Sequence, residues 1–299
     1  MATPQSGIFA EGSAQHFVME YGLRPGADLA AVAAAVFSAR GLASSGGPNL
    51  VVAFGAGLWQ RLAGDRMPAD LRPFEAIAAA IGAGAPATQG DLLFWIHGPR
   101  HDENFEVALD VNRIVAPEIA SCVDQSGFIG ADSRDLTGFI DGTANPSGQE
   151  RQATALIPAG EAGAGGAFVL SQRWVHDLGS FGALAEHEQE NVIGRTKADS
   201  VELGPERMPP DSHVSRTDTA LDGAPLTIYR RSFPYGSVQE HGLYFLAFSR
   251  SLGHFDILLR RMFGVAGDGI YDRLIEFSRP VSGAYWYAPP LEDLGSLGG

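Results

Sequence analysis

Cysteine is almost absent from this chain of 299 residues: Cys122 stands alone. A single thiol excludes an intrachain disulfide, a Cys-x-x-Cys-His attachment site and any cysteine-built metal centre. It also suits a reducing compartment. Basic charge is scarce: 21 Lys and Arg face 35 Asp and Glu, giving a net charge of −14 and a pI near 4.9. Such a chain lacks the basic face that nucleic acid requires and is disfavoured at anionic membranes. Neutral or cationic small substrates are compatible with it. Long apolar runs are missing as well, none approaching the roughly 20 residues that cross a bilayer. The opening Met-Ala-Thr-Pro-Gln-Ser-Gly-Ile-Phe has no basic region ahead of an apolar core, as a secretory leader would. Together these absences point to a cytoplasmic protein.

Hydrophobic residues make up 45% of the chain, enough for a sizeable core, and the length suits one large or two medium domains. Periodicity predicts strands at Phe17–Tyr21, Leu50–Phe54 and Asp91–His97, with helices at Asp28–Arg40 and Asn104–Ile114. The second helix draws on apolar Phe105, Ala108, Leu109 and Val111. The second half predicts strands at Ala167–Trp174, Leu226–Arg230 and Gly242–Phe248, with helices at Glu186–Gly194 and Asp256–Phe263. Two α+β units follow, divided near residue 150 into 1–150 and 151–299. The Gly- and Ala-rich stretch Ala159–Ala167 reads as a flexible connection or hairpin entry. Residues 289–299 read as a frayed tail.

The most informative stretch is Gly138-Phe139-Ile140-Asp141-Gly142-Thr143-Ala144-Asn145-Pro146. It sets one carboxylate between two glycines, where the backbone is free to bend and a flat ligand is able to come close. By local chemistry alone Asp141 is either a turn-former or a working acid/base. His213, in Asp-Ser-His-Val-Ser-Arg, reads locally as a surface-loop histidine. Arg230 and Arg231 are equally plausible by composition.

Taken with Ile193-Gly194-Arg195-Thr196-Lys197, Ser212-His213, Arg230-x-Ser232-x-Pro234-Tyr235-Gly236 and His241-Gly242-Leu243-Tyr244-Phe245, the stretch resembles the dye-decolourising peroxidases. These are haem enzymes, and the chain is similar to their bacterial cytoplasmic B-type class over nearly its whole length. The resemblance implies two ferredoxin-like domains, each an antiparallel sheet with packed helices, as in a dimeric α+β barrel, with haem b in the second. It implies His213 as the axial iron ligand, for which Asp256 is our candidate hydrogen-bond acceptor. A helix-terminal acid is the plainer reading of Asp256.

On the other haem face the resemblance puts Asp141, as proton acceptor and donor, and Arg230, as a fixed positive charge. Ser232, two residues along the strand, would share that face and hold a water. Arg195 would pair with a propionate. Gly138, Gly142 and Thr143 would approach the porphyrin edge, and Phe245 and Leu243 would pack near the ring. Ala144 stands where several relatives carry glutamate, so a manganese site built on that acid is not expected. Trp59, Trp95, Trp174 and Trp286 are candidate electron relays, although most tryptophans are plain core.

The implied partners are hydrogen peroxide and small reducing substrates, with no nucleic acid and no membrane. Assembly into a homo-oligomer is expected. Leu294-Gly295-Ser296-Leu297-Gly298-Gly299 is similar to the peptides that load enzymes into encapsulin shells. A haem-handling protein that releases iron or carries haem is the alternative function.

Overall fold

A computed structural model describes residues 2–43 and 47–298; Met1 and Gly299, at the ends of the two expected domains, lie outside the described residues. The first unit runs β1 (Gln15–Leu23), α1 (Leu29–Arg40), β2 (Asn49–Phe54), α2 (Ala56–Ala63), β3 (Leu92–Gly98), α3 (His101–Val115) and β4 (Ile119–Phe128). Its strands lie in the order β4-β1-β3-β2, all antiparallel. After α4 (Glu150–Ala155), the second unit begins at β5 (Ala167–His176) and passes through α5 (Leu178–Gly182), α6 (Glu186–Ile193) and α7 (His213–Thr217). A small hairpin of β6 (Ala220–Leu221) and β7 (Ala224–Pro225) leads to β8 (Tyr229–Arg230), β9 (Phe233–Gly236) and β10 (His241–Ser249). Then come α8 (Leu252–Met262), β11 (Ser278–Pro280), β12 (Ala284–Ala288) and α9 (Leu291–Gly295).

The second unit's order, β12-β5-β10-β8, repeats the first: fourth, first, third, second. Both units are therefore ferredoxin-like, as the resemblance implied. They share one sheet, because Tyr287 of β12 pairs with Phe54 of β2. The outer edges also meet, with Gly127 of β4 against Phe233 and Pro234 of β9. The sheet thus curls towards a barrel. Val18, Val51, Leu93, Trp95, Val169, Leu246 and Trp286 fill its inside, while alternate residues such as Met19, Val52, Phe94 and Leu170 join the core on the helix side.

Local chemistry explains most boundaries. Asp28 caps α1 by accepting from the Ala30 amide at 2.9 Å. In α3 the buried face is Asn104, Ala108, Val111 and Val115, and Phe105 and Leu109 are 44% and 46% exposed. Strand β4 carries no apolar alternation and most of its residues are exposed, so periodicity missed it.

Two segments are held rather than flexible: Ala159–Ala167 is not a loose connection but the entry to a strand, and residues 289–298 are not a frayed tail. Within 157–166 the Ile157 amide donates to Gly166 O at 2.8 Å and the Gly165 amide donates to Ile157 O at 3.0 Å, with Gly163 and Gly166 against the Tyr287 ring. This is a tethered turn leading into β5. The tail is not frayed: α9 buries Leu294 to 1% exposure, and the Leu291 amide donates to Thr3 O at 2.8 Å.

Candidate active site

A cavity of about 400 Å³ opens between the second unit's sheet and its helices. One wall is sheet: Leu170, Gln172, Trp174 and His176, alternate residues of β5, with Leu243 and Phe245 of β10 and Arg230 of β8. The opposite wall is helical. It presents Phe255, Leu258, Leu259 and Met262, one face of α8, together with His213 of α7. The rim is the loop from Asp135 to Ala144 and, from the adjoining segment, Arg195 and Glu202. Apolar walls with a few convergent polar groups are the usual form of a cofactor site.

His213 is the first residue of α7, whose N-cap Ser212 accepts from the Ser215 amide. Its Nδ1 lies 2.6 Å from Asp272 Oδ2. Asp272 is fully buried and accepts the Leu274 amide at 2.9 Å through its other oxygen. A carboxylate accepts only, so Nδ1 donates, and in the neutral ring this tautomer leaves the lone pair on Nε2. Nε2 has no hydrogen-bond partner among the described residues, and His213 lines the cavity.

The helix bearing this imidazole is clamped. Arg216 donates to Arg261 O at 3.1–3.2 Å and to Asp268 at 2.8 Å, while Arg261 donates back to Arg216 O and Ser215 O at 3.0 Å. The Arg216 hydrogen bond holds the Asp268 carboxyl below its ordinary range. Gly194 ends α6 in the left-handed region at φ +93°; a Cβ there would sit 2.8 Å from Val214 Cβ. Only glycine lets α6 approach α7 this closely.

Asp141 is carried by a loop that folds back on itself. Its amide donates to Ser133 O at 2.9 Å, the Asp135 amide donates to Phe139 O at 2.9 Å, and Arg134 bonds the carbonyls of Gly138, Lys197 and Ala198. Asn145 then brackets one residue of β8, donating to Arg230 O at 2.8 Å and accepting the Arg230 amide at 2.9 Å. The bracket sets Asp141 beside Arg230: Asp141 Oδ1 lies 4.0 Å from Arg230 Nε. The same oxygen accepts the Gly142 amide at 2.7 Å.

Of the residues singled out from the sequence, the structure brings Asp141, Gly142, Thr143, Arg195, His213, Arg230, Leu243, Phe245 and Trp174 to this one cavity. Arg195 donates to Glu202 at 3.0 Å and to Ser200 O at 2.9 Å. Gly138 does not line the cavity; its positive φ serves the loop turn, and it packs against Lys197. Ser232 is also outside the lining, with its hydroxyl turned to the Leu246 amide at 3.4 Å. Trp59, Trp95 and Trp286 are fully buried core.

Asp256 is not the partner of His213. Helix α8 starts at Leu252 with Ser251 as cap, so Asp256 lies within it, on a different face from the cavity-lining Phe255, Leu258, Leu259 and Met262. There it pairs with Arg72 and accepts from Tyr285 Oη at 2.8 Å. Sequence reasoning missed Asp272, Asn145 and Gln172. It also missed the Asp135–His176 pair at the rim, 3.4 Å apart. Burial works to raise the Asp135 carboxyl. Hydrogen bonds and charge from His176, with hydrogen bonds from Thr137, outweigh it and hold the carboxyl below its ordinary value.

Comparison with known proteins agrees with this geometry. The profile of the Dyp-type peroxidase C-terminal domain matches residues 132–293, and that of the N-terminal domain matches 33–129. A dye-decolorizing peroxidase of Mycobacterium tuberculosis is 37% identical over 250 residues, covering 82% of this chain and 74% of that protein. One from Rhodococcus erythropolis is 36% identical over 255 residues, covering 84% and 74%. Among solved structures, DypB from Rhodococcus jostii RHA1 superposes with a TM-score of 0.93 at 32% identity over 99% of this chain and 98% of that one. A variant of DypB in complex with heme gives 0.93 at 31% identity over 99% of both. The dye-decolorizing protein from V. cholerae gives 0.87 at 36% identity over 98% of both. Two profiles that together span most of the chain, relatives above 30% identity and a shared fold establish that the chain belongs to the Dyp-type, dye-decolourising peroxidase family and is a peroxidase.

Proposed function

We propose that the cavity holds haem b, with His213 as the iron ligand, and that Asp141 and Arg230 handle hydrogen peroxide on the facing side. The residues present fit such a group. A neutral imidazole with a free Nε2 and an anionic partner on Nδ1 is a good haem-iron ligand. Apolar side chains on both walls suit a flat macrocycle, and Arg195 at the rim suits a propionate. When bound, haem supplies the redox chemistry that reduces peroxide to water and oxidises phenolic, dye-like or other small donors by one-electron steps.

The chain's own residues move protons and steady charge. Asp141 takes a proton from one peroxide oxygen and returns it to the other, so that the second leaves as water. Arg230 remains charged and stabilises the negative charge that builds on the parting oxygens. Asn145 fixes the strand that carries Arg230. Asp272 holds the His213 tautomer and orientation.

The single observation that carries this reading is the His213–Asp272 pair on one wall with the Asp141–Arg230 pair across the same cavity. Its test is an absorption spectrum of haem-supplemented protein before and after one equivalent of peroxide. A Soret band that shifts promptly and returns on adding an electron donor is expected. A band that only bleaches would move the reading to haem handling.

The reading extends to a cytoplasmic homo-oligomer divided near residue 150. Its support is the lone thiol, the acidic balance and the exposed apolar pair Phe105 and Leu109 on α3, a face that a second copy is able to cover. No described helix is long and apolar enough to cross a membrane. Sedimentation of wild type against Phe105→Ser/Leu109→Ser tests the assembly, and limited proteolysis tests the division. Loading into an encapsulin shell is tested by co-expression with and without residues 290–299.

A further inference from the structure

Gln172 lies mid-strand in β5 between Leu170 and Trp174, paired in register with Phe245 of β10. It is 0% exposed, it lines the cavity on the sheet wall, and neither its Nε2 nor its Oε1 has a hydrogen-bond partner among the described residues. Buried polar side chains are rarely left so, and a wholly unpartnered amide in a cavity wall marks a place where a bound molecule completes the bonding. A second orphan shares the wall: Arg230 Nε is buried and unpartnered among the described residues, beyond hydrogen-bond reach of Asp141. Strands β5 and β8 flank β10, with Gln172 opposite Phe245 and Arg230 opposite Ala247, so the two residues start about 12 Å apart, within joint reach of a small molecule between their side chains.

The chemistry narrows the occupant. A haem carries its polar atoms at the propionates and the iron, and the propionate-binding arginine, Arg195, is at the rim. Gln172 sits among Leu170, Trp174 and Phe245, an apolar stretch of wall, and Arg230, the cation on the same wall, stands beside Asp141, whose carboxylate disfavours a propionate there. What remains is a small molecule held at the iron on the side facing the sheet. An amide offers one donor group and one acceptor, which complements a molecule that both donates and accepts, as hydrogen peroxide and water do.

We propose that Gln172 is a third polar contact for peroxide, positioning it on the wall opposite His213, where Arg230 supplies charge and Asp141 a base. Gln172 neither gains nor loses a proton in this role. The inference rests on the reading that haem occupies the cavity.

The test uses haem-loaded protein and cyanide, a small iron ligand whose affinity reports polar contacts on that side without turnover. Gln172→Met keeps the shape and removes donor and acceptor. It is expected to bind haem with a native Soret band, to bind cyanide about tenfold more weakly, and to react with peroxide more slowly by a similar factor. Its haem-free form is expected to melt higher than wild type, because the orphaned amide is gone. Should Gln172→Met fail to fold, Gln172→Leu serves in the same assays with the same expectations. A cyanide dissociation constant within twofold of wild type in the haem-loaded variant overturns the proposal. Absence of any Soret band in the wild type would instead overturn the haem reading on which it rests.

Discussion

His213 and Asp272 are 59 residues apart in sequence and 2.6 Å apart in the structure, joined through Nδ1 and Oδ2. The contact depends on two supports. The Arg273 amide donates to Asp211 O at 2.9 Å, tying the segment after α8 to the loop before α7, and the Asp272 amide donates to Met262 O at 2.9 Å. An anionic acceptor at Nδ1 makes the imidazole a stronger donor to iron and favours the oxidised metal.

We therefore predict that Asp272→Asn raises the haem reduction potential and lowers the iron–histidine stretching frequency in the ferrous protein. Asp272→Ala also loses the cap on Leu274 and is expected to cost about 1–3 kcal/mol of stability. Asp256→Asn changes neither spectroscopic quantity. Spectroelectrochemistry and resonance Raman scattering check the three variants, and an Asp256→Asn effect equal to that of Asp272→Asn would falsify the pairing.

Asp141→Asn and Arg230→Leu are expected to keep haem, because neither touches His213 or α7. Removing the base slows the reaction with peroxide by about 10²–10⁴-fold. Removing the fixed charge slows it by about 10²–10³-fold. Stopped-flow absorbance at the Soret band measures both. Asn145→Ala releases the Arg230 backbone and is expected to fall between wild type and these variants.

The contact of Gly194 with α7 predicts a structural route to cofactor loss. Gly194→Ala meets both a left-handed backbone, which costs a non-glycine residue about 1–2 kcal/mol, and the Val214 side chain. Displacing α7 moves His213. Haem transfer to apomyoglobin is expected to accelerate in Gly194→Ala and to stay native in Gly182→Ala, where the space beside the glycine is open.

Acid sensitivity follows from two histidines inside the barrel. His16 and His97 stack with Trp95, and Trp95 Nε1 donates to His16 Nδ1 at 3.2 Å. Burial, and then the charge of Arg231, push their pKa values down from 6.5 to about 3 and about 2. Between 6.5 and those values the unfolded chain binds protons that the folded chain does not. Stability is thus fully present above pH 6.5 and is lost progressively as pH falls. The urea midpoint of haem-free protein is expected to drop from pH 7 to pH 5, and His97→Gln to show a shallower drop. Equal slopes in the two proteins would remove His97 from this account.

Much of the fold was legible because its strands are short and apolar and its helices amphipathic. Leu92–Gly98 is buried at every residue, and its composition said so. Strand β4 was silent, since its side chains are largely exposed and no period marks it. Helix α8 was read as starting four residues after its true start at Leu252, which turned Asp256 from a mid-helix residue into an apparent helix start and made it a false partner for His213.

The sequence by itself determined the family and the two repeated units, and through that resemblance it offered His213, Asp141, Arg230 and Arg195 as candidates, because each sits in a local motif whose spacing survives without the fold. Only the tertiary structure decided which carboxylate meets His213, that Asn145 sets Arg230 beside Asp141, that Gly138 and Ser232 stand outside the cavity, and that Gln172 faces into it unpartnered. Those relations join residues tens of positions apart across a sheet or between helices. Their geometry depends on strand register and helix phase, and a one-residue change in either turns a side chain to another face.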